Sequence, residues 1–193
     1  MDQPSNVWTS SPFLRERALT VYAAALAARH VTGAIVELGV GQGHTAKVLA
    51  ALAAQWGKDL ILVDAFGTSP LPLRDRDGAH AAREYNSFAS LRDTINAVPP
   101  LPRQTLCLLD LRHYHSQDPW AFVHVDVDLY ESTRDAVSLV RDRLVSRGIV
   151  VFDDYGDTLW PGVQDAVDEL LPPSWWRYRV DGICQLVAVN DGQ

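Results

Sequence analysis

The chain has 193 residues, of which 47% are hydrophobic and 21% charged, a composition typical of one folded domain with a full core. The formal net charge of −7 and the lack of a Lys/Arg cluster argue against nucleic-acid binding. Because no apolar run is long enough to cross a membrane and residues 1–12 contain no apolar signal core, we expect a cytoplasmic protein with no membrane partner. Cys107 and Cys184 each lie in an apolar run and are expected to be small buried residues, not a disulfide or a metal site.

The N-terminal part, residues 1–33, is predicted to be a loose arm followed by a helix over Phe13–Arg29. The helix has apolar residues at helical spacing, such as Leu14, Ala18 and Val21. Residues 34–193 are expected to form a single α/β domain. Trp8, on the arm, is compatible with a homo-oligomer.

A glycine-rich loop follows the first predicted strand, Ala34–Gly39, and leads into a helix over His44–Trp56. Glycines at 39, 41 and 43 let the backbone approach a ligand closely, at exposed helix N–H groups. A plain tight turn is the alternative. The dinucleotide fingerprint places its last glycine where this chain has His44. With the acidic Glu37 ahead of it, the loop instead resembles motif I of class I S-adenosylmethionine-dependent methyltransferases.

The second predicted strand, Leu60–Asp64, ends in a carboxylate that can accept hydrogen bonds from both hydroxyls of a ribose. A helix N-cap is the alternative role of Asp64. After it, residues 66–103, approximately, are predicted to form a lid-like insertion with a helix over Ala79–Val98. The third strand, Gln104–Asp110, ends in another aspartate. His113 and His115 are expected to be solvated turn residues rather than metal ligands.

Two further strands end in paired aspartates, Asp126 with Asp128 and Asp153 with Asp154. A predicted helix over Glu131–Arg147 joins them, and Gly148 is expected to be its C-cap. Because a crossover of that length makes the two strands parallel, Asp126, Asp153 and Asp154 should meet at one sheet edge.

Crowded carboxylates must either bind protons or be held by a cation, and carboxylate oxygens suit Mg²⁺ or another hard divalent cation. We expect Asp126 and Asp128 to point to opposite faces, with Asp126 as a metal ligand and Asp128 as a possible cap of the next helix. The alternative is that all four aspartates only cap helices or lie at solvated loop tips.

The chain closes with a helix over Val163–Leu171 and a hairpin of Trp175–Val180 and Cys184–Val189. The predicted fold class is therefore α/β, a Rossmann-like, mostly parallel seven-stranded sheet with a C-terminal β-hairpin and helices on both faces.

The strings HVDVDLYEST (124–133), IVVFDDYG (149–156) and PGVQDAVDEL (161–170) resemble the signature of the macrocin O-methyltransferase family, the TylF/MycF type. ELGVGQGHT (37–45) and VDAFG (63–67) are similar to the first two motifs of that family. The resemblance implies an enzyme that methylates sugar hydroxyls of antibiotic natural products with S-adenosylmethionine and Mg²⁺. It places the metal ligands on Asp126, Asp153 and Asp154. The implied cofactor-binding residues are Glu37, Gly39, Gly41, Gly43, Thr45, Asp64 and Asp110.

In the expected reaction, Asp126 would take the proton of an acceptor hydroxyl whose pKa a bound dication would lower, and His124 is the rival base. Tyr130, Tyr155 and Trp160 are candidates for the acceptor wall. The expected partner is a small-molecule acceptor, a glycosylated natural product.

Three other functions remain open. The site layout also resembles catechol-type phenolic O-methyltransferases, in which the last metal ligand is asparagine rather than Asp154. A nicotinamide-dependent oxidoreductase would use the same loop and Asp64, and a non-catalytic subunit could retain a degenerate cofactor site.

Overall fold

A computed structural model describes residues 12–65, 75–77, 103–108 and 111–192. The helices are α1 (Pro12–Ala27), α2 (His44–Trp56), α3 (Tyr130–Arg143) and α4 (Pro161–Leu170), with short 3₁₀ turns at Asp75–Asp77 and Leu111–His113. The strands are β1 (Ala34–Leu38), β2 (Leu60–Asp64), β3 (Gln104–Leu108), β4 (Trp120–Val125), β5 (Leu144–Phe152), β6 (Trp176–Val180) and β7 (Gln185–Val189). Within these ranges, no helix is long and apolar enough to cross a membrane.

The strands form one seven-stranded sheet in the order β3-β2-β1-β4-β5-β7-β6. The first five pair in parallel, whereas β7 runs antiparallel to both β5 and β6. This confirms the predicted fold class and the C-terminal hairpin. The chain moves outward from β1 to β3 and then returns to place β4 beside β1. That switch point opens a crevice at the carboxyl ends of β1 and β4, where open α/β sheets bind ligands.

Hydrophobic side chains pack on both faces of the sheet. Val123 and Phe152 point to one face, under Val137 and Val140 of α3. On the other face, Ile35 and Phe122 belong to the same cluster as residues of α1 and α2. Strands β1 and β4 are buried along their whole length, as expected for parallel strands covered on both sides. The central strands are therefore a rigid base for the groups at their tips.

Helix α1 is part of this body. Its residues Val21, Ala24 and Ala25 are buried in the cluster that also contains Leu49 of α2. The predicted helix over Phe13–Arg29 agrees with α1 to within two residues at each end. Most of the predicted arm, residues 1–11 with Trp8, lies outside the described residues.

The prediction that Gly148 caps the α3 helix is wrong. The C-cap is Leu144, which is extended (φ −67°, ψ 114°) and already pairs with Trp120. Gly148 instead lies inside β5, where an added Cβ would come within 2.7 Å of the Leu144 side chain. Leu144 fits the apolar spacing of the predicted helix, but it is buried in the core as the first residue of β5. Glycine is required here for close packing within an irregular strand.

Other predictions fall partly outside the described chain. Of the lid-like insertion at 66–103, the structure describes Asp75–Asp77 and residue 103, so the helix predicted over Ala79–Val98 is outside that range. The third strand ends at Leu108, and the predicted cofactor residue Asp110 is also outside it.

Candidate active site

The glycine loop between β1 and α2 turns through three residues with positive φ: Gly39 (84°), Gly41 (49°) and Gly43 (74°). Of the three positions, Gly39 requires glycine most strictly, because an added Cβ would come within 1.8 Å of the backbone oxygen of Asp126. The backbone N–H of Asp126 in turn donates to Leu38 O at 2.8 Å. The missing side chain at Gly39 thus allows the tips of β1 and β4 to touch, which brings the loop next to Asp126.

Asp64, at the tip of β2, fixes the shape of the same loop. Its Oδ2 atom accepts hydrogen bonds from the backbone N–H groups of Val40 (2.7 Å) and Gly41 (2.9 Å). These contacts are not those of a helix cap, the alternative role of Asp64, because Val40 and Gly41 precede the N-cap of α2. A carboxylate in this position lies close to any ligand that rests on the loop.

A cavity of about 300 Å³ opens beside the loop. It is bordered by α1, by the loop, by the start of α2 and by the strand tips. Its lining includes the predicted site residues Glu37, Gly41, Thr45, Asp64, His124, Asp126 and Asp153. Helix α1 contributes Arg17, Ala18 and Val21. Most of the described residues predicted for the cofactor and the metal are therefore assembled around one space.

Carboxylates of β4 and β5 meet at the edge of this cavity. Two sets of ligand atoms lie within 4.8 Å of one another, His124 with Asp126 and Asp153, and Asp126 with Asp128 and Asp154. Asp126 is common to both. The structure thus brings the three predicted metal ligands into one neighbourhood but distributes them over two adjoining sets, and it adds His124 and Asp128.

The expectation that Asp126 and Asp128 point to opposite faces is wrong. Strand alternation does not apply to them, because β4 ends at Val125, and both side chains are half-buried at the same cavity wall. Asp128 is also not the cap of α3, because the N-cap is Leu129 and Asp128 has a left-handed φ of 62°.

The side chain that accepts a hydrogen bond from the first N–H of α3 comes from a distant part of the chain. Asp77, which is fully buried, accepts a hydrogen bond from the backbone N–H of Tyr130 at 2.6 Å. The sequence analysis missed this residue, since nothing local relates it to a helix that begins 53 residues later. Asp77 ties the described part of the insertion to the segment that carries Asp128.

The electrostatics of the cluster disfavour full ionisation. Burial and the neighbouring carboxylates raise the pKa of Asp126 and that of Asp128 well above the usual range. Burial and the charge of Asp153 raise the pKa of Asp154 to about 6, although Arg17 opposes the change. Positive charge added at this edge would therefore stabilise the carboxylate forms.

Arg17 supplies part of that charge. Its guanidinium lies 3.2 Å from Asp153 and 2.7 Å from Asp154, and its Nε donates to the Ile183 carbonyl at 3.0 Å. Sequence reasoning missed Arg17, although a signal was present. The residue falls three positions after Leu14 and four before Val21, which places a cation on the apolar stripe of α1.

Glu37 and His124 form a buried pair under the acidic edge. Both are 1% exposed, and His124 Nδ1 lies 3.1 Å from Glu37 Oε1. Burial raises the pKa of Glu37. Burial alone would lower the pKa of His124, but the hydrogen bond and the charge of Glu37 raise it above its ordinary value. Glu37, predicted to contact the cofactor, thus holds the ring of the predicted rival base.

The donor set fits a divalent cation. It combines carboxylate oxygens with His124 Nε2, a buried nitrogen that has no hydrogen-bond partner among the described residues. Two ligand atoms on opposite sides of an octahedral ion are about 4.2 Å apart, and His124 Nε2 lies 4.0 Å from Asp153 Oδ2, within that limit.

The aromatic acceptor wall predicted from the sequence is not part of this cavity. The hydroxyl of Tyr155 donates to Asp168 at 2.7 Å and that of Tyr130 donates to Glu169 at 2.6 Å, both on α4. Trp160 is also absent from the lining. His113 and His115 are exposed, and neither belongs to a possible metal-binding group in the described parts of the chain.

A sequence profile of the family described as "Methyltransferase domain" matches residues 36–155. The chain belongs to this methyltransferase family. It is therefore an S-adenosylmethionine-dependent methyltransferase, and the glycine loop, Asp64 and the acidic strand tips all lie within the matched segment. A search of curated proteins gave no match.

Solved structures share the fold of this methyltransferase. CalS11, a TDP-rhamnose 3'-O-methyltransferase of calicheamicin biosynthesis, is 23% identical with a TM-score of 0.67, over 93% of this chain and 80% of that one. The O-methyltransferase NovP is 20% identical with a TM-score of 0.75, over 91% and 79%. Fibrillarin of Aeropyrum pernix, with natively bound S-adenosyl-L-methionine, is 15% identical with a TM-score of 0.54, over 88% and 74%.

Proposed function

We propose that the protein transfers a methyl group from S-adenosylmethionine to a sugar hydroxyl of a natural product, with the help of a divalent cation such as Mg²⁺. The observation that carries this proposal is the position of the acidic strand tips. Asp126 and Asp153 line the same cavity as Gly41 of the glycine loop and Asp64 at the tip of β2. A hydroxyl held by the acids would thus lie next to a cofactor resting on the loop.

The cofactor would be bound through the glycine loop. Asp64 already accepts hydrogen bonds from loop N–H groups, and it would accept further ones from the ribose hydroxyls. Gly39, Gly41 and Gly43 keep the loop backbone close to the ligand. Thr45 borders the cavity and is proposed to contact the amino-acid end, near Glu37.

The acids would hold the cation and prepare the acceptor. Asp126, Asp153 and Asp154 are the proposed ligands, and the bound cation would lower the pKa of the acceptor hydroxyl. Asp126 is proposed to take the proton, because it borders the cavity and belongs to both ligand sets. His124 is the rival base. Positioning of the oxygen near the methyl group would supply much of the remaining rate.

We propose a sugar acceptor for two reasons. The sequence resembles the macrocin O-methyltransferase family, and CalS11, which shares the fold, is a TDP-rhamnose 3'-O-methyltransferase. A phenolic acceptor, as in catechol-type enzymes, is the second candidate. Its support is Asp126 with the paired Asp153 and Asp154, a layout that resembles the catechol-type site. We further propose a small-molecule acceptor with no nucleic-acid partner, as the net charge of −7 suggests.

The test uses purified full-length protein. S-adenosylhomocysteine should bind in calorimetry and raise the melting temperature, whereas NADH should do neither. With a deoxysugar-nucleotide or glycosylated acceptor panel, methyl transfer should stop when chelator is added and resume with Mg²⁺. The Asp153→Asn variant should bind S-adenosylhomocysteine but lose activity. Activity that survives chelator would overturn the metal role.

A further inference from the structure

We propose that His124 Nε2 is itself a metal ligand, so that the site is a mixed nitrogen and oxygen site which prefers Mn²⁺ to Mg²⁺. The proposal rests on the proposed function, since it specifies the ion that the acidic edge takes up. It adds a nitrogen ligand to Asp126 and Asp153, leaves Asp154 in the adjoining set and changes the expected metal.

The first argument is the unpaired nitrogen. The His124 ring is 1% exposed, and its Nε2 atom has no hydrogen-bond partner among the described residues. An unpaired buried polar atom costs about 1–3 kcal/mol. Nε2 lies 4.0 Å from Asp153 Oδ2, too far for a hydrogen bond but a suitable separation for two ligands of one ion. The cost is removed if an ion lies between them.

The second argument is the orientation of the ring. Nδ1 lies 3.1 Å from Glu37 Oε1, and because ionised Glu37 can only accept, the contact with its carboxylate form places a proton on Nδ1. Nε2 is then directed toward the acids. Histidines that bind metals commonly donate their other ring N–H to a carboxylate, which fixes the tautomer and increases ligand basicity. Glu37 is thus a positioning residue for a ligand.

The third argument concerns the room left by Arg17. Its guanidinium contacts Asp153 through the Oδ1 atom at 3.2 Å, whereas Oδ2 is the oxygen that faces His124. Asp126 completes the group, with its carboxylate oxygen within 4.8 Å of the other two ligand atoms. An ion between His124, Asp126 and Asp153 is therefore compatible with the ion pair of Arg17.

The fourth argument is the chemistry of the donors. Mg²⁺ prefers oxygen ligands only, whereas imidazole nitrogen suits first-row transition metals. Mn²⁺ accepts carboxylate oxygens and also binds more tightly than Mg²⁺ once a nitrogen ligand is present. One histidine among several aspartates therefore favours Mn²⁺.

The test is spectroscopic and does not depend on turnover. Metal-stripped protein with S-adenosylhomocysteine is titrated with Mn²⁺, and nitrogen coupling to the bound ion is measured by pulsed electron paramagnetic resonance. We expect ¹⁴N coupling that changes to ¹⁵N coupling when the protein is labelled with ¹⁵N-histidine. This comparison uses the unmodified sequence and so avoids any folding defect.

Variants then assign the nitrogen. His124→Gln should lose the histidine coupling and reduce the preference for Mn²⁺ over Mg²⁺ by about tenfold. His44→Gln, which removes an exposed histidine that lines the same cavity, should keep both. Glu37→Gln should retain the coupling but bind Mn²⁺ about tenfold more weakly.

The possible results separate the two proposals. Bound Mn²⁺ without histidine coupling, or equal affinity for Mn²⁺ and Mg²⁺, would overturn the role of His124 and leave the metal-assisted reaction intact. Failure to bind either ion would overturn both the ligand assignment and the metal part of the proposed function.

Discussion

Arg17 of α1 forms an ion pair with Asp154 at the tip of β5, with 2.7 Å between Nη2 and Oδ1. The same guanidinium contacts Asp153, and its side chain is 12% exposed. Helix α1 therefore supplies a fixed positive charge to a site in which carboxylates outnumber cations. The N-terminal helix contributes to the site electrostatically as well as by packing.

Replacing Arg17 by methionine should destabilise the metal-free protein by about 3 kcal/mol, because two buried carboxylates lose their partner. Urea unfolding in chelator measures the loss. Added divalent cation should restore much of the stability by replacing the missing charge. The matched control is Arg15→Met on the exposed side of the same helix, which should change stability by less than about 1 kcal/mol. Equal effects of the two variants would refute the role of Arg17.

Stability of the metal-free protein should depend on pH through Asp154. Its pKa is raised to about 6 by burial and by Asp153, so the folded state binds a proton that the unfolded state has released. This contribution is fully present below the unfolded pKa of about 4 and is lost as pH rises through about 6. The raised pKa values of Asp126 and Asp128 act in the same direction.

The Asp154→Asn variant isolates this effect. In chelator, the variant should become more stable relative to the unmodified protein as pH rises from 5 to 8, that is, the difference in their free energies of unfolding should shift in favour of the variant. Calorimetric melting at several pH values provides the measurement. A constant difference between the two proteins would contradict the assignment, and saturating divalent cation should remove the pH dependence.

Gly39→Ala should disrupt both the fold and cofactor binding. The added Cβ would come within 1.8 Å of Asp126 O, and the residue has a φ of 84°. Because backbone must move, we expect a loss of about 4 kcal/mol or more. Gly57→Ala is the control, since Gly57 has a similar φ of 64° with nothing within 4 Å of an added Cβ. It should cost only about 1 kcal/mol. Similar melting temperatures for the two variants would disprove the steric argument.

Asp77→Ala should destabilise the protein by about 1–2 kcal/mol, because α3 loses the acceptor for its first N–H and a buried cavity remains. Asp77→Asn retains an acceptor oxygen and should lose less. For comparison, the nearby ion pair of Arg76 and Glu169 is about half exposed, so Glu169→Gln should change stability by less than about 1 kcal/mol. Denaturant titration ranks the three variants, and an equal loss for Asp77→Ala and Glu169→Gln would contradict the capping role.

Local patterns predicted much of this fold. The bounds of α2 and β2 agree with the sequence analysis because glycines and an aspartate mark their ends. Strand β5 was less predictable. Leu144 continues the helical spacing of α3, and only its pairing with Trp120 makes it the first residue of a strand. Apolar periodicity shows that a residue is buried, but it does not identify which element buries it.

The candidate site was likewise predicted from the sequence only in part. Asp126, Asp153 and Asp154 were predicted to meet because parallel strands end at one edge, and they do lie together. The partners Arg17 and Asp77 come from distant segments, and their contacts depend on tertiary packing. The pairing of Glu37 with His124 requires the register in which these residues lie side by side on β1 and β4. Sequence spacing alone does not specify that register.

The pairing of β7 with β5 has a consequence for biosynthesis. Strand β5 pairs with β4 on one side, and β7 covers its other side. A ribosome-bound chain that stops before β7 would therefore expose the open edge of β5. We expect such a truncated chain to aggregate or be degraded, because an unpaired strand edge is a template for pairing with another chain.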